Sequence, residues 1–333
     1  MVNYDPLYAE DDSNYNPILD LVFAFQKSRL LITAGEFKIF STIGKEKKTA
    51  EEISIITKTK ADPIERLLNA LVSINLLHKE EEYYTNTKVG LRYLVNSSGN
   101  YIGSDSYANY LWDSWSNLTE TIATGKNTGN ASWDEDKVDA YLEFSELTSS
   151  SLAPNVIKLL GLDNHNSVLD LGSGAGYYSV EMLKENPHLR IMLLDYPQVI
   201  PLTKKYMSKH IDIERFKFIE ADFMTNDIGN GYDMVFLGNI INFFPFWDNV
   251  KLFQKIYKAL APGGKIVVFE RILNDDRVSP VQSVISNLNA LLNTQGGACY
   301  TDTEVWIMLK ESYFGNISNI EVQPGYKLYF GYK

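Results

Sequence analysis

Two hydrophobic patterns divide the chain. Up to about residue 160, apolar residues recur at the three- to four-residue spacing of amphipathic helices, as in 17–31. From Ser167 onward, short apolar runs alternate with helical stretches, and the runs are 168–171, 190–194, 216–219, 232–237 and 265–269. Such alternation predicts a parallel sheet with helices on both faces. The expected fold class is therefore α/β, a doubly wound domain preceded by a mainly helical domain.

The first hundred residues carry start signals for several helices. Residues 49–52 (Thr-Ala-Glu-Glu) form a capping box, and residues 62–65 (Asp-Pro-Ile-Glu) repeat the device with proline in the first turn. Two short apolar runs flank the charged residues 80–82, and Thr87 is expected to cap a short helix that ends near Leu94. A helix-turn-helix followed by a hairpin is the outline of a winged helix.

Changes in composition suggest three segments. Residues 96–110 shift to Ser, Gly, Asn and Tyr, which is typical of a connection. We therefore predict a winged-helix domain, a helical linker and a ligand-binding α/β domain over residues 1–100, 101–160 and 161–333. The further helices that the periodicity predicts cover about 33–43, 108–124 and 137–160.

Charge and cysteine usage narrow the function classes. Lys and Arg number 31 against 42 Asp and Glu, a net charge of −11, so neither nucleic acid nor an anionic membrane is an expected partner. The single cysteine, Cys299, excludes an intramolecular disulfide, and four histidines leave little material for a metal site. No basic region precedes an apolar core at the N-terminus, and no apolar run approaches a membrane span. We expect a cytoplasmic protein without bound metal.

The most informative motif follows the first predicted strand of the sheet. Residues 168–176 read Val-Leu-Asp-Leu-Gly-Ser-Gly-Ala-Gly, with glycines at 172, 174 and 176. Glycines at this point let the backbone turn sharply and let a ligand approach the main chain. A dinucleotide site would favour glycine where this chain has Tyr177, so the spacing argues against a pyrophosphate.

Two aspartates follow the next two predicted strands. Asp195 lies where a carboxylate can accept hydrogen bonds from both ribose hydroxyls. Asp222 lies where it can accept from an adenine amino group while Phe223 packs on the ring. Either aspartate alone could instead cap a helix. In combination with the glycines, we interpret them as parts of a nucleoside site.

In combination these segments resemble the class I methyltransferases, and more narrowly the small-molecule O-methyltransferases with an N-terminal winged-helix dimerisation domain. The caffeate, acetylserotonin and bacterial polyketide methyltransferases are of this type. The resemblance begins near residue 17 and rests on residues 30–34, 39–40, 49–52, 66–71, 76–77, 168–176, 194–199, 221–223 and 259–265. It implies a Rossmann-like domain that binds S-adenosyl-L-methionine (SAM), a small-molecule methyl acceptor, a homodimer through the N-terminal domain, and a role in secondary metabolism.

The resemblance also implies a set of cofactor-binding positions. Tyr196 would lie beside the adenine, and main chain near Asn239 would close the pocket. The full set is spread over the ends of four predicted strands and consists of Gly172, Gly174, Asp195, Tyr196, Asp222, Phe223 and Asn239.

The chain departs from the resembled pattern where the catalytic residues would lie. Asn242 aligns with the histidine that acts as the base in these enzymes, and an amide cannot remove a proton. Glu270 matches the acid that orients that histidine, and Cys299 stands where a second acid would be.

Three hypotheses for the catalytic residues remain open. Glu270 could itself be the base if burial raises its pKa. The acceptor could already be nucleophilic, as a thiolate, a carboxylate, an amine or an acidic carbon, so that positioning, which can supply about 7–11 kcal/mol, suffices. Methyl transfer could also have been lost. Cys299 could be a nucleophile, but without a histidine to activate it we expect a small buried thiol.

Candidate acceptor-site residues follow the same alignment. They are Phe243, Asn289, Asn293 and Cys299. Asn289 and Asn293 lie on a helix that lines the acceptor site in the resembled enzymes, although a solvated helix face would read the same. Among the aromatic residues at 243–247 and 300, only one or two are expected to touch a substrate, since aromatics at helical spacing commonly form core.

We expect a SAM-dependent methyltransferase that acts on a small aromatic or polycyclic metabolite, most simply at oxygen. The alternative is a SAM-binding homologue that methylates C, N or S, or that has a non-methylating activity. A DNA-binding regulator is more remote. Residues 17–90 hold eleven Lys and Arg against ten Asp and Glu, and the acidic residues 80–82 at the wing tip would repel phosphates.

Overall fold

A computed structural model describes residues 17–98, 101, 105–127 and 134–333. The chain divides after Asn109 into two units, Met1–Asn109 and Tyr110–Lys333. The division falls inside the segment predicted as a linker over 101–160, and most of that segment's helical residues belong to the second unit.

The first unit is helical with one small antiparallel sheet. Strand β3 pairs with both β1 and β2, in the order β1-β3-β2, so the hairpin predicted around residues 80–82 is confirmed. The elements are α1 Pro17–Glu36, α2 Ile39–Ile43, β1 Lys48–Thr49, α3 Ala50–Thr57, α4 Ala61–Ser73, β2 Leu77–Glu80, β3 Tyr83–Asn86, α5 Lys88–Tyr93 and α6 Asp105–Ser116, which extends across the division.

Two of the three predicted helix starts are confirmed. Thr49 Oγ1 accepts from Glu52 N at 3.2 Å while Thr49 N donates to Glu52 Oε2 at 2.8 Å, which is the reciprocal capping box. Thr87 caps α5. The helix start predicted at residues 62–65 is wrong, because α4 begins at Ala61 and Asp62 therefore lies inside its first turn and does not cap it. There Asp62 forms an ion pair with Arg66, and the helix dipole favours an acid in the first turn as well as at the cap.

The boundary between the first two helices also differs from the prediction. Helix α1 continues through Glu36, and α2 begins only at Ile39. Lys38 between them has a φ of 52°, a left-handed conformation that interrupts the helix. Apolar spacing continues across this break, so periodicity alone could not locate it.

Helix α1 exposes a row of large apolar side chains. Each of the following is more than half exposed: Ile18, Leu19, Leu21, Val22, Phe23 and Phe25. A contiguous apolar surface of this kind is typical of a face that a partner covers. It is consistent with the homodimer that the sequence implies.

The second unit is an α/β domain with a seven-stranded sheet in the order β6-β5-β4-β7-β8-β10-β9. Its elements are α7 Leu118–Thr124, α8 Glu135–Lys158, β4 Ser167–Leu171, α9 Tyr177–Glu185, β5 Arg190–Asp195, α10 Ile200–Met207, β6 Phe216–Glu220, β7 Tyr232–Gly238, α11 Phe246–Ala259, β8 Leu260–Arg271, α12 Val281–Asn293, α13 Asp302–Glu311, β9 Gly315–Gln323 and β10 Tyr326–Tyr332.

The five predicted strands are confirmed as the parallel part, β4 to β8. The expectation of a purely parallel sheet is wrong, since β10 inserts antiparallel between β8 and β9. Strand β9, Gly-Asn-Ile-Ser-Asn-Ile-Glu-Val-Gln, is mostly polar and exposed at the sheet edge. An edge strand of this composition lacks the apolar run by which the buried strands were recognised.

The two faces of the sheet carry separate cores. Along β8, Ile266 and Val268 pack on one face with residues of α11 and α13, while Val267 and Phe269 pack on the other with residues of α8 and α9. This alternation buries the strand on both sides and confirms the doubly wound arrangement. No helix within the described residues is long and apolar enough to span a membrane.

The exposed face of α1 gives a test of self-association. Phe23→Glu places a charge on the apolar face and should weaken dimer formation by at least tenfold, because burying an unpaired carboxylate is costly. Analytical ultracentrifugation would measure the dimer–monomer dissociation constant. Ser28→Glu, at an exposed position turned by about 140° around α1 from Phe23, adds the same charge and is the control. Equal effects of the two substitutions would contradict an interface on this face.

Candidate cofactor and acceptor site

The carboxyl ends of β4, β5 and β7 open into one cavity of about 410 Å³ within the second unit. Six of the seven predicted cofactor-binding residues line it, namely Gly172, Gly174, Asp195, Tyr196, Phe223 and Asn239. Two of the predicted acceptor-site residues, Phe243 and Asn293, line it as well. Asp222, Asn242, Glu270, Asn289 and Cys299 do not.

The turn after β4 requires its glycines. Gly172, Gly174 and Gly176 all have positive φ, of 73°, 53° and 76°. A Cβ on Gly172 would lie 2.2 Å from Ile240 Cδ1, and one on Gly176 would lie 2.4 Å from Met207 Sδ. The backbone is therefore bare where it faces the cavity, as the sequence predicts.

Asp195 ties the end of β5 to this turn. Its Oδ2 accepts from Gly174 N at 2.9 Å, and its Oδ1 accepts from Tyr196 N at 2.8 Å. The side chain is 6% exposed, and burial raises the pKa of Asp195 to about 6. Each carboxylate oxygen can accept a further hydrogen bond, so the group is fixed in place and still able to bind a ligand hydroxyl.

A second carboxyl group lines the cavity, and the sequence analysis did not predict it. Asp170 is buried within β4, and its Oδ2 accepts from Ser179 Oγ at 2.6 Å. Burial raises the pKa of Asp170 to about 7. A carboxylate in the run Val-Leu-Asp-Leu was a signal available in the sequence, since a charge within a buried strand is costly unless a cation or donors compensate it.

Asp222 does not reach the cavity. Its Oδ1 accepts from Met224 N at 2.9 Å and its Oδ2 from Thr225 Oγ1 at 2.9 Å, so it caps its own turn. This is the alternative that the sequence left open for an isolated aspartate. The contact of Asp222 with adenine stays a prediction.

The turn that Asp222 closes presents Phe223 to the cavity. The Phe223 ring is buried and contacts the rings of Tyr196 and Phe244 at centroid distances of 5.2 and 5.7 Å. Lys255 of α11 holds the same turn, since its Nζ donates to Phe223 O at 2.9 Å and also contacts Met224 O and Asn226 O. Sequence reasoning missed Lys255 because the contact joins segments about thirty residues apart.

The other end of the cavity is bounded by aromatic and amide side chains. Phe243 meets Tyr141 of α8 edge to face at 6.0 Å. Asn293 Nδ2 donates to the backbone and side-chain oxygens of Asn289, both at 3.1 Å, and Trp115 Nε1 donates to the same Asn289 Oδ1. Asn289 therefore fixes Asn293 and is set back from the cavity.

Asn242 and Glu270 form a hydrogen-bonded pair behind this end, in which Asn242 is partly exposed. Glu270 is fully buried, and its Oε1 accepts from Asn242 Nδ2 and from Arg271 N, each at 2.9 Å. Its Oε2 accepts from Asn242 N at 3.4 Å. Burial raises the pKa of Glu270 to about 7, although these donors favour the ionised form.

Cys299 lies close to this pair as a buried thiol. Burial, and next the charge of Glu270, raises the pKa of Cys299 to about 12. A thiol that stays protonated at neutral pH is a poor nucleophile, so the geometry agrees with the expectation of a small buried side chain.

A glycine closes the wall between the pair and the cavity. A Cβ on Gly297 would lie 2.1 Å from Asn242 O and 2.7 Å from the Phe243 carbonyl carbon. Gly297 N also donates to Thr294 Oγ1 at 2.9 Å, and Thr294 lines the cavity. The loop 294–297 thus packs tightly against residues 242–243.

Several cavity residues had no signal in the sequence. They come from helix faces and loops that only the fold brings together, and they include Val138, Leu142, Ser145, Ser149, Gln198 and Gln295. In residues 17–98, 101, 105–127 and 134–333 no cluster of His, Cys, Asp and Glu is arranged to hold a metal ion.

Comparison with known proteins agrees with this geometry. The O-methyltransferase domain family matches residues 115–314, and the O-methyltransferase dimerisation domain family matches residues 19–96. The tetracenomycin polyketide synthesis 8-O-methyl transferase of Streptomyces glaucescens is 27% identical over 95% of this chain and 96% of its own length. The 3-hydroxy-5-methyl-1-naphthoate 3-O-methyltransferase of Streptomyces sahachiroi is 28% identical over 86% of each. The structure of human N-acetylserotonin methyltransferase in complex with SAM superposes with a TM-score of 0.87, at 22% identity over 98% of this chain and 99% of that one.

The sealed Glu270 predicts a pH dependence of stability. Because the folded-state pKa is raised from 4.5 to about 7, the folded protein holds this proton more tightly than the unfolded chain does. The contribution of Glu270 to the free energy of unfolding is therefore full below about pH 4.5 and falls as the pH rises to about 7, by roughly 1–3 kcal/mol. Urea unfolding between pH 5 and 8 should show a steeper fall in the wild type than in Glu270→Gln, because the raised pKa values of Asp170 and Asp195 contribute to the fall in both proteins. A parallel pH dependence in both proteins would contradict the assignment.

Proposed function

This chain belongs to the O-methyltransferase family and uses SAM, and we propose that it methylates a hydroxyl group of a small aromatic acceptor in the cavity at the ends of β4, β5 and β7. The observation that carries the proposal is the convergence of the glycine turn, Asp195 and Phe223 on one cavity with an aromatic end.

The residues around the cavity fit the cofactor. A Cβ on Gly172 would collide with Ile240, so only bare backbone can line the cavity there, and Asp195 is fixed where it can accept from ribose hydroxyls. The rings of Tyr196 and Phe223 provide an apolar surface on which adenine can pack. The buried carboxyl of Asp170 would face the cationic methionine end, where opposite charge favours its ionised form.

Two buried hydroxyls support the same fit. Among the described residues, Ser173 Oγ and Tyr178 Oη have no hydrogen-bond partner that satisfies distance and angle, and both residues line the cavity. Buried polar atoms without partners are uncommon in folded proteins, and a polar ligand is one explanation. We assign both hydroxyls to the cofactor end of the cavity.

An aromatic acceptor fits the opposite end. Phe243, Phe244 and Tyr141 provide ring faces and edges, while Asn293 provides one oriented amide. The two curated relatives described above are named for a tetracenomycin polyketide and a naphthoate, which suggests a flat, fused-ring acceptor here as well.

The cofactor supplies an electrophilic methyl group, and this chain's residues supply position. Holding two reactants in line can contribute about 7–11 kcal/mol to lowering the barrier. The paired side chains Asn242 and Glu270 support the wall behind Phe243 and do not line the cavity, so their role in our proposal is structural.

Removing the ribose-binding carboxylate should weaken cofactor binding. We expect Asp195→Asn to raise the Kd for SAM and for S-adenosylhomocysteine by about 10- to 100-fold, the range for a lost charge-assisted hydrogen bond. Isothermal titration calorimetry on the full chain measures both. The matched control is Asp233→Asn, since Asp233 also accepts two backbone amides, from Asn166 and Ser167, at the other end of the sheet. No heat of binding in the folded wild-type protein would overturn the proposed function.

Lys255 should affect the same binding from a distance. Lys255→Met removes the donor that holds the turn beneath Phe223, so we expect the Kd for adenosine and for SAM to rise by similar factors of about three to ten. Lys251→Met, one turn earlier on α11 and paired with Asp248 at the surface, is the control. A loss of affinity for SAM alone, with adenosine binding intact, would contradict a role of Lys255 in positioning the aromatic surface for adenine.

A further inference from the structure

We infer that the acceptor carries its reacting hydroxyl as an oxyanion before it binds, as in a hydroxyquinone or another hydroxyl conjugated to a carbonyl group. This inference rests on the proposed function and specifies the chemical class of its acceptor. In the transfer step the acceptor oxygen forms a bond to the methyl carbon while the sulfur–methyl bond breaks. The proton has already passed to water.

The titratable side chains around the cavity do not supply a base for an un-ionised acceptor. Of the described residues that line it, only two carboxyls and four tyrosines titrate. Asp170 and Asp195 are committed to Ser179 and to the amides of Gly174 and Tyr196, on the cofactor side. A tyrosine with its usual pKa of about 10 is protonated at neutral pH and can donate a proton but not remove one.

Three of the four tyrosines are poor bases because they are buried. Burial raises the pKa values of Tyr177, Tyr178 and Tyr196, which keeps these phenols protonated. Tyr141 lies at the acceptor end, where its ring meets the ring of Phe243 edge to face.

No histidine is among the described residues that line the cavity. The ring of His210 contacts the ring of Tyr177, a lining residue, at a centroid distance of 5.5 Å. Its Nε2 is paired with Glu146 Oε1 at 2.7 Å, on the side of the cofactor turn.

The Asn242–Glu270 pair does not supply the base either. Asn242 has no basic nitrogen, and Glu270 is fully buried beneath it with hydrogen bonds to both carboxylate oxygens. To reach the cavity the carboxylate would have to lose Asn242 Nδ2 and pass the tightly packed contact between Gly297 and Asn242 O.

Magnitudes decide which acceptors can react under these conditions. A simple phenol with a pKa of about 10 is ionised to roughly one part in a thousand at pH 7. General-base catalysis commonly recovers a factor of about 10² to 10⁴. Without a base, a simple phenol therefore reacts only through its small ionised fraction, whereas an acidic hydroxyl is fully ionised at pH 7, although its oxyanion is intrinsically the weaker nucleophile.

Two flat two-ring probes separate these cases. With the full-length protein and SAM at pH 7, we expect methylation of 2-hydroxy-1,4-naphthoquinone and methylation of 1-naphthol that is at least 10²-fold slower. The 1-naphthol rate should rise about tenfold per pH unit as its ionised fraction grows, while the hydroxyquinone rate stays flat. Product formation is followed by mass spectrometry together with release of S-adenosylhomocysteine.

A histidine in the cavity wall tests the reason for the preference. Asn293→His places an imidazole at the acceptor end of the cavity and should shift the ratio of the two rates by about 10²-fold toward 1-naphthol. Asn293→Gln keeps an amide at the same position and is the matched control, for which the ratio should not shift toward 1-naphthol. SAM affinity, measured on each variant, reports whether the cofactor end is intact.

The outcomes are distinguishable. Wild-type protein that methylates 1-naphthol at pH 7 as fast as the hydroxyquinone would overturn this inference and leave the proposed function standing. SAM binding without methylation of either probe would also overturn the acceptor class. Failure to bind SAM would instead remove the proposed function itself.

Discussion

The hydrogen bond from Gly174 N to Asp195 Oδ2 is the constraint on which the cofactor end depends. It fixes the turn after β4 to the end of β5, so that bare backbone and a buried carboxylate face the same space. Both partners need their residue type, because Gly174 has a positive φ and only a carboxylate can accept from two neighbouring amides and a ligand together. The parallel strands place this pair at the edge where doubly wound sheets bind ligands.

The acceptor end obeys a different constraint. There the side chains are aromatic rings and amides, and the acid Glu270 is sealed behind Asn242. A family member with this wall keeps the means to hold and align two reactants, but among the described residues the acceptor end has no group to take a proton. Whether an acceptor reacts then depends on the acidity of its own hydroxyl group.

The sequence was sufficient where a local motif determines the geometry. The glycine turn, Asp195 and the parallel strands were predictable because each depends on a few consecutive residues and a regular period. Asp222 could not be decided, since the same residue serves equally well as a turn cap or as a ligand. Lys255 escaped prediction because its role arises from contacts between distant segments. Asn289 was predicted as an acceptor-site residue, but its contact with Trp115, which is equally non-local, could not be predicted. Strand β9 was missed because an exposed polar edge strand has no distinctive pattern, whereas β10, Tyr-Lys-Leu-Tyr-Phe-Gly-Tyr, is a largely apolar run that was not recognised as a strand.

Hydrogen–deuterium exchange with and without S-adenosylhomocysteine tests the central claim most directly. The account predicts that the ligand slows exchange of the amides at 172–177, 195–196 and 223–224. Exchange at the opposite, amino-terminal ends of the strands, around Asn166 and Asp233, should stay unchanged. Uniform exchange in all of these segments, in a protein that is folded by circular dichroism, would contradict it.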